Sequence, residues 1–176
     1  FDLEAGDRIW VDTGVYEEPD AVLVGMKDSG TTGNPIRVVG NVAKPYSGTI
    51  LKRPGSAPGY TGIQLSYANG IHFDSLMVSN AHVGVAAENG QGLRLDRVRV
   101  GYCSTNAVLA SGNAGLTLSA SILEQSLSAG LQAQTGSAVK VHNCLIRDNS
   151  RTAIFMQGGD VEVKNSILEA SGTQGY

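Results

Sequence analysis

The residue types able to do chemistry are sparse in this 176-residue chain: three histidines, two cysteines and sixteen carboxylates. A zinc centre needs three or four ligands that converge on one point. His72, His82 and His142 fall at unrelated positions, and no Ser-His-Asp set can be assembled around any of them. Cys103 and Cys144 make neither a metal-binding spacing nor a disulfide framework. Asp74 and Asp96, with Arg94 and Arg97 close by, offer hard oxygen ligands of the kind calcium takes. Ordinary mixing of surface charge explains the same residues. Gly158-Gly159-Asp160 matches part of a calcium-binding nonapeptide repeat, and one partial copy makes no site. The expectation is therefore no metal and no cofactor.

Composition narrows the classes. Lys plus Arg is 13 and Asp plus Glu is 16, so the net charge is −3. That balance supplies no basic footprint for nucleic acid, and no nucleic-acid partner is expected. No apolar run approaches the ~20 residues of a spanning helix, so no membrane span is expected. Hydrophobic residues make up 41%, enough for a core, while charged residues are only 16%. Glycine is abundant at 23 residues.

The elements that would position any site come from a repeat. All five prolines precede residue 60, and a periodic pattern follows them. Ile63, Val85, Val108, Leu131 and Ile154 head equivalent segments at steps of 22, 23, 23 and 23 residues. A second segment repeats in phase, running Ile71 to Val78, Leu93 to Val100, Leu116 to Leu123, Val139 to Ile146 and Val161 to Leu168. Its first, third and eighth residues are apolar, and a mostly polar residue separates the first two. This is strand alternation, broken once by a two-residue corner such as Asp74-Ser75 or His142-Asn143. The leucine-rich signature is missing, and β-branched residues, Gly, Ser and Asn replace helix formers.

The pattern predicts an all-β right-handed parallel β-helix, with three short strands per 22–23-residue rung. Residues 1–61 form its opening coils with irregular Pro/Gly loops, and residues 62–176 its regular rungs, in one continuous domain. Three inward columns are expected: Ile63 to Ile154, Phe73-Leu95-Leu118-Val141-Val163, and Val78-Val100-Leu123-Ile146-Leu168. Asn143 and Asn165 at the corner would tolerate left-handed backbone and could extend an amide ladder. The cysteines, two rungs apart, should both be free thiols.

The later copies, above all Val139-Lys140-Val141-His142-Asn143-Cys144-Leu145-Ile146, resemble the right-handed parallel β-helix (pectate-lyase-like) superfamily. The stretches Ala5 to Val11, Gly14-Val15-Tyr16 and Ser29 to Ile36 are similar to the N-terminal coils of polysaccharide lyases and of large bacterial surface proteins. The resemblance implies an extracellular or cell-surface location, in bacteria or archaea. It also implies that chemistry, where present, sits on the first-strand face. Lyases bring a Lys or Arg base and calcium-holding carboxylates there, and glycosidases bring a carboxylate pair.

In this chain the outward first-strand residues read Gln64, Ala86, Leu109, Gln132 and Phe155, then Ser66, Glu88, Ser111, Gln134 and Gln157. One carboxylate without a base or a second acid makes no active site, so catalysis is not expected among these residues. Gln64, Gln132, Gln134 and Gln157 could instead bond glycan hydroxyls, with Phe155 stacking on a sugar ring. A solvated polar face with one stray aromatic accounts for the same residues. On the third strand, Ile122, Leu145 and Ile167 form an outward apolar stripe that invites a covering segment or partner.

The last rung leaves strand edges open, which template pairing. The expected partners are further segments of the same protein, or neighbouring chains at the open end, together with a polysaccharide. The expectation is a structural or adhesive module of a large secreted or surface protein. The alternative is the N-terminal part of a carbohydrate-active enzyme, a lyase or glycoside hydrolase, whose catalytic residues lie beyond residue 176.

Overall fold

The computed structural model describes residues 2–41 and 48–169; Pro45 and the chain's last residue, Tyr176, lie outside them. In chain order the strands are β1 (Arg8–Trp10), β2 (Gly14–Glu17), β3 (Val22–Val24), β4 (Ile36–Val39), β5 (Thr49–Lys52), β6 (Thr61–Ser66), β7 (Ile71–Asp74), β8 (Met77–Ser79), β9 (Val83–Glu88) and β10 (Leu93–Asp96). Then come β11 (Arg99–Gly101), β12 (Val108–Ser111), β13 (Gly115–Ser119), β14 (Ile122–Glu124), β15 (Ala129–Gln134), β16 (Ala138–His142), β17 (Leu145–Arg147), β18 (Thr152–Gln157), β19 (Asp160–Lys164) and β20 (Ile167–Leu168).

Alternation along each strand leaves one apolar face, and such short strands bury it only by stacking. They stack into three parallel sheets. The first sheet holds β3, β6, β9, β12, β15 and β18 in order; the second runs from β1 to β19 and the third from β2 to β20. Ile63, Val85, Val108, Leu131 and Ile154 pair in register from rung to rung. So do Phe73, Leu95, Leu118, Val141 and Val163, and Val78, Val100, Leu123, Ile146 and Leu168. The opening coils join the same sheets: Val22 pairs with Ile63, Val38 with Phe73 and Leu51 with Val78.

The three columns are buried through the rung of Leu131, Val141 and Ile146. At the last rung the expectation fails: Val163 and Leu168 are exposed and Ile154 is half-buried. An inward side chain is covered by the rungs on both sides of it, and the last described strands have a neighbour on one side only.

The corner between second and third strands is left-handed in five rungs, with φ of 57° at Ser75, 53° at Arg97, 48° at Ala120, 55° at Asn143 and 48° at Asn165. Serine, rather than asparagine, builds the polar ladder there. Ser121 Oγ accepts from Val98 N–H at 3.1 Å, and Ser166 Oγ accepts from Cys144 N–H at 3.0 Å, each joining two rungs. A second ladder follows the third strand. The side chains of Cys103, Ser126 and Asn149 each donate to the carbonyl two residues back, and Asn149 Oδ1 also accepts from Ser126 N–H at 3.1 Å.

Both cysteines are buried free thiols, with Cys144 at the corner preceding β17 rather than within the strand. Burial pushes the Cys103 thiol up to about 11 and raises Cys144 as well. The native chain should therefore resist alkylation at neutral pH and react at both thiols once denatured. The unfolded chain releases the Cys103 proton near 9.0 and the folded chain only near about 11. Stability should thus fall as pH rises through that window. Denaturation midpoints for Cys103→Ala, which lacks this proton, should show a shallower fall; an identical pH profile would contradict the assignment.

Candidate functional site

The first-sheet face carries the expected residues in the expected columns. Gln64, Ala86, Leu109, Gln132 and Phe155 follow one another in register. Three of the four glutamines, Gln64, Gln132 and Gln157, are engaged through their side-chain amides. Gln132 Oε1 accepts from Asn106 Nδ2 at 2.7 Å, while its Nε2 donates to Gln157 Oε1 at 3.2 Å. Gln64 Nε2 donates to Ser66 Oγ at 3.3 Å. Alternating polar side chains at one-rung spacing satisfy each other, because the spacing between strands suits amide-to-amide bonds. The exposed ring of Phe155 sits directly in line with Gln132. Beside it an open depression of about 250 Å³ is lined by Gly112, Gln134, Thr135 and Gln157. The structure thus groups Gln132, Gln134, Phe155 and Gln157 at one end of the face. It leaves Gln64 three rungs away. Glu88, the one carboxylate of these columns, is exposed at the end of β9.

The apolar stripe keeps its register through Ile122, Leu145 and Ile167. It is open only at Ile167, which is 61% exposed; Ile122 and Leu145 are half-buried, and Met77 below Arg99 is buried.

Beside this stripe lies a group that the repeat pattern hides. Glu124 is fully buried on the outer side of β14. Its Oε1 accepts from Arg99 Nη2, and its Oε2 accepts from Arg147 Nε at 3.1 Å and meets Nη2 at 3.0 Å. Gly101 lies in register with it on the rung before. A Cβ at Gly101 would stand 2.8 Å from the Glu124 carbonyl oxygen and 3.4 Å from its Cγ, so glycine leaves the space the glutamate occupies. The hydrogen bonds to Glu124 hold the Arg147 guanidinium above its ordinary pKa. A carboxylate enclosed and held at both oxygens has no path to a substrate, so this is a clamp across three rungs. The 23-residue step from Gly101 to Glu124 to Arg147 tells from sequence that the three stack, but not that the glutamate is buried.

On the second sheet, Asp74 and Asp96 are neighbours in register. Arg97 bridges them, at 2.5 Å from Asp74 and 2.8 Å from Asp96, and Arg94 lies 3.5 Å from Asp96. Burial pushes the Asp96 carboxyl up, but the Ser119 hydroxyl, Arg94 and Arg97 together outweigh it and bring its pKa below the ordinary value. The two carboxylates are spent on arginines, which leaves little negative charge for a cation.

His82 and Ser104 meet at 2.8 Å through Nδ1. The Ser104 hydroxyl is directed at the Ser56 carbonyl oxygen, so it accepts from His82 and donates to Ser56. A histidine that donates to serine is not a base acting on it, and the pair fastens the 56–60 loop to the rung edge.

No curated protein sequence matches the chain. Among solved structures it superposes on the crystal structure of pectate lyase Pel9A with a TM-score of 0.76 at 14% identity, over 93% of this chain and 45% of that one. The chain thus spans less than half the length of that lyase, and the likeness is one of fold. Residues 47–176 match the family described as a right-handed beta helix region. With three parallel sheets wound in rungs of about 23 residues, the chain belongs to the right-handed β-helix family.

Proposed function

We propose that this chain is a structural or adhesive β-helix module of a large secreted or cell-surface protein, working as a stiff spacer rather than a catalyst. The observation that carries this reading is the first-sheet face. Its amides bond one another across rungs, from Asn106 through Gln132 to Gln157. A face engaged in this way holds the stack together and presents a shallow polar surface suited to weak glycan contact. Two features add support. The inward columns run continuously through all three sheets. The last described strand of each sheet also presents exposed apolar residues, Met156, Val163, Ile167 and Leu168 among them, on which a further segment or a neighbouring chain would stack.

The likeness to a pectate lyase favours a second reading, in which these rungs belong to a carbohydrate-active enzyme whose reacting groups lie outside them. One experiment tests the spacer reading. The chain is incubated with acidic and neutral polysaccharides, with and without calcium, while released chain ends are followed and its sedimentation is recorded. A spacer releases no ends and sediments as end-to-end assemblies. Release that disappears in Glu88→Gln would place catalysis on this face and overturn the proposal. A clean monomer would remove the stacking part of it.

A further inference from the structure

On the second sheet the outward column begins Arg8, Arg37, His72, Arg94, each in direct register with the next. Adjacent strands lie about 4.8 Å apart, so four basic side chains form a row of about 15 Å along the helix axis. Column neighbours do not neutralise this row. Among the described residues, neither Arg8 nor Arg37 forms an ion pair. Asp74 and Asp96, which flank the row, are balanced by Arg97 and by Arg94, so the uncompensated charge of the row lies at Arg8 and Arg37. Further along the same column Lys140 is followed by Glu162, which pairs with Lys164 and lies 3.7 Å from His142. The positive excess is therefore local to the first rungs, on a chain whose net charge is −3.

Two more features mark the place. An open depression of about 260 Å³ lies over it, lined by Arg37, His72, Arg94 and Arg97 with the two aspartates. At its N-terminal end Trp10 is 68% exposed, with the Arg8 guanidinium 5.3 Å from its ring centre. A large aromatic left in water beside a row of guanidinium groups is the combination that a charged sugar chain uses. The guanidinium groups take paired bonds from its acidic groups, and the indole takes the apolar face of a ring.

We propose that this column is a docking track for a linear anionic glycan, with carboxylate or sulfate groups on Arg8 and Arg37 and one sugar ring on Trp10. The track lies on a different sheet from the glutamine face, and it stands whether the rungs serve a spacer or an enzyme. The single row of cations and single aromatic fit one thin strand of spaced charges better than the dense phosphates of nucleic acid. His72 sits in the middle of the row. Burial, Arg37 and Arg94 lower its pKa, against a smaller opposing pull from Asp96. The charged groups that face it are Arg37 on β4, Asp74 on β7, Arg94 and Asp96 on β10, and Arg97 at the next corner. A bound anion raises the His72 pKa, so binding takes up a proton and tightens as pH falls through the histidine range.

Calorimetric titration of the full chain tests this with oligogalacturonate, dextran sulfate, neutral dextran and a single-stranded oligonucleotide. The expected result is salt-sensitive binding of an acidic glycan and none of dextran; the preferred glycan tells carboxylate from sulfate. Arg37→Gln should weaken binding about tenfold or more, and Arg37→Lys should recover part of it. Trp10→Ala and Arg8→Gln, both at exposed positions, should weaken it independently, with circular dichroism unchanged. Lys140→Gln should bind as the parent does. Equal affinity for dextran, tighter binding of the oligonucleotide, parental affinity in the Arg8, Trp10 and Arg37 variants, or no binding of either acidic glycan would each overturn the proposal.

Discussion

Replacing Phe73 by alanine should destabilise the chain by about 3–5 kcal/mol, the range for truncating a buried aromatic. Phe73 is fully buried, paired with Val38 on one side and Leu95 on the other. Those neighbours belong to stacked rungs whose backbones are tied by parallel hydrogen bonds, so they cannot collapse far into the space left behind. The effect should also be local in a characteristic way. In a stacked repeat each rung is stabilised by its two neighbours. A cavity at Phe73 weakens the joint between the opening coils and the regular rungs. Urea denaturation should show the loss, and hydrogen exchange should speed up first in β4, β7 and β10. Truncating half-buried Ile154 at the far end should cost much less. Comparable costs at the two sites would mean that the column does not carry the stability assigned to it.

Replacing Glu124 by alanine should cost about 3 kcal/mol, because it strands charges that the carboxylate was holding. Most of that cost should come from Arg99, whose side chain is 12% exposed, since Arg147 is freer to turn to water. Arg147→Ala should therefore cost less than Arg99→Ala. Changing all three to apolar residues of similar volume should recover most of the loss, because the desolvation of three charges is removed along with their attraction. Urea denaturation of the single and triple variants checks this. A triple variant as unstable as Glu124→Ala would show that the clamp acts by shape rather than by charge.

The sequence alone determined the class of fold and the register of its later rungs. Where loops keep a constant length, the 22–23-residue step survives in the chain. Ile63, Val85, Val108 and Leu131 can then be stacked on paper as they stack in space. The corner at Asn143 and Asn165 was legible for the same reason, since each rung must turn at the same place. The glutamine and Phe155 column was equally legible, but not the bonds between its amides, because bonding depends on the rotamers chosen between rungs.

Tertiary structure alone decided the rest. The loops of the first third differ in length, so Arg8, Arg37 and His72 share no sequence interval. Only the hydrogen-bonded pairing of β1, β4 and β7 places them in one row with Arg94. Glu124 was hidden for another reason. An outward carboxylate at a strand end reads as solvated, and its burial exists only because Gly101 leaves room below it while Arg99 and Arg147 close over it. A periodic sequence specifies what repeats. The exceptions to the repeat depend on which side chains meet across rungs, and that is set by contacts in space.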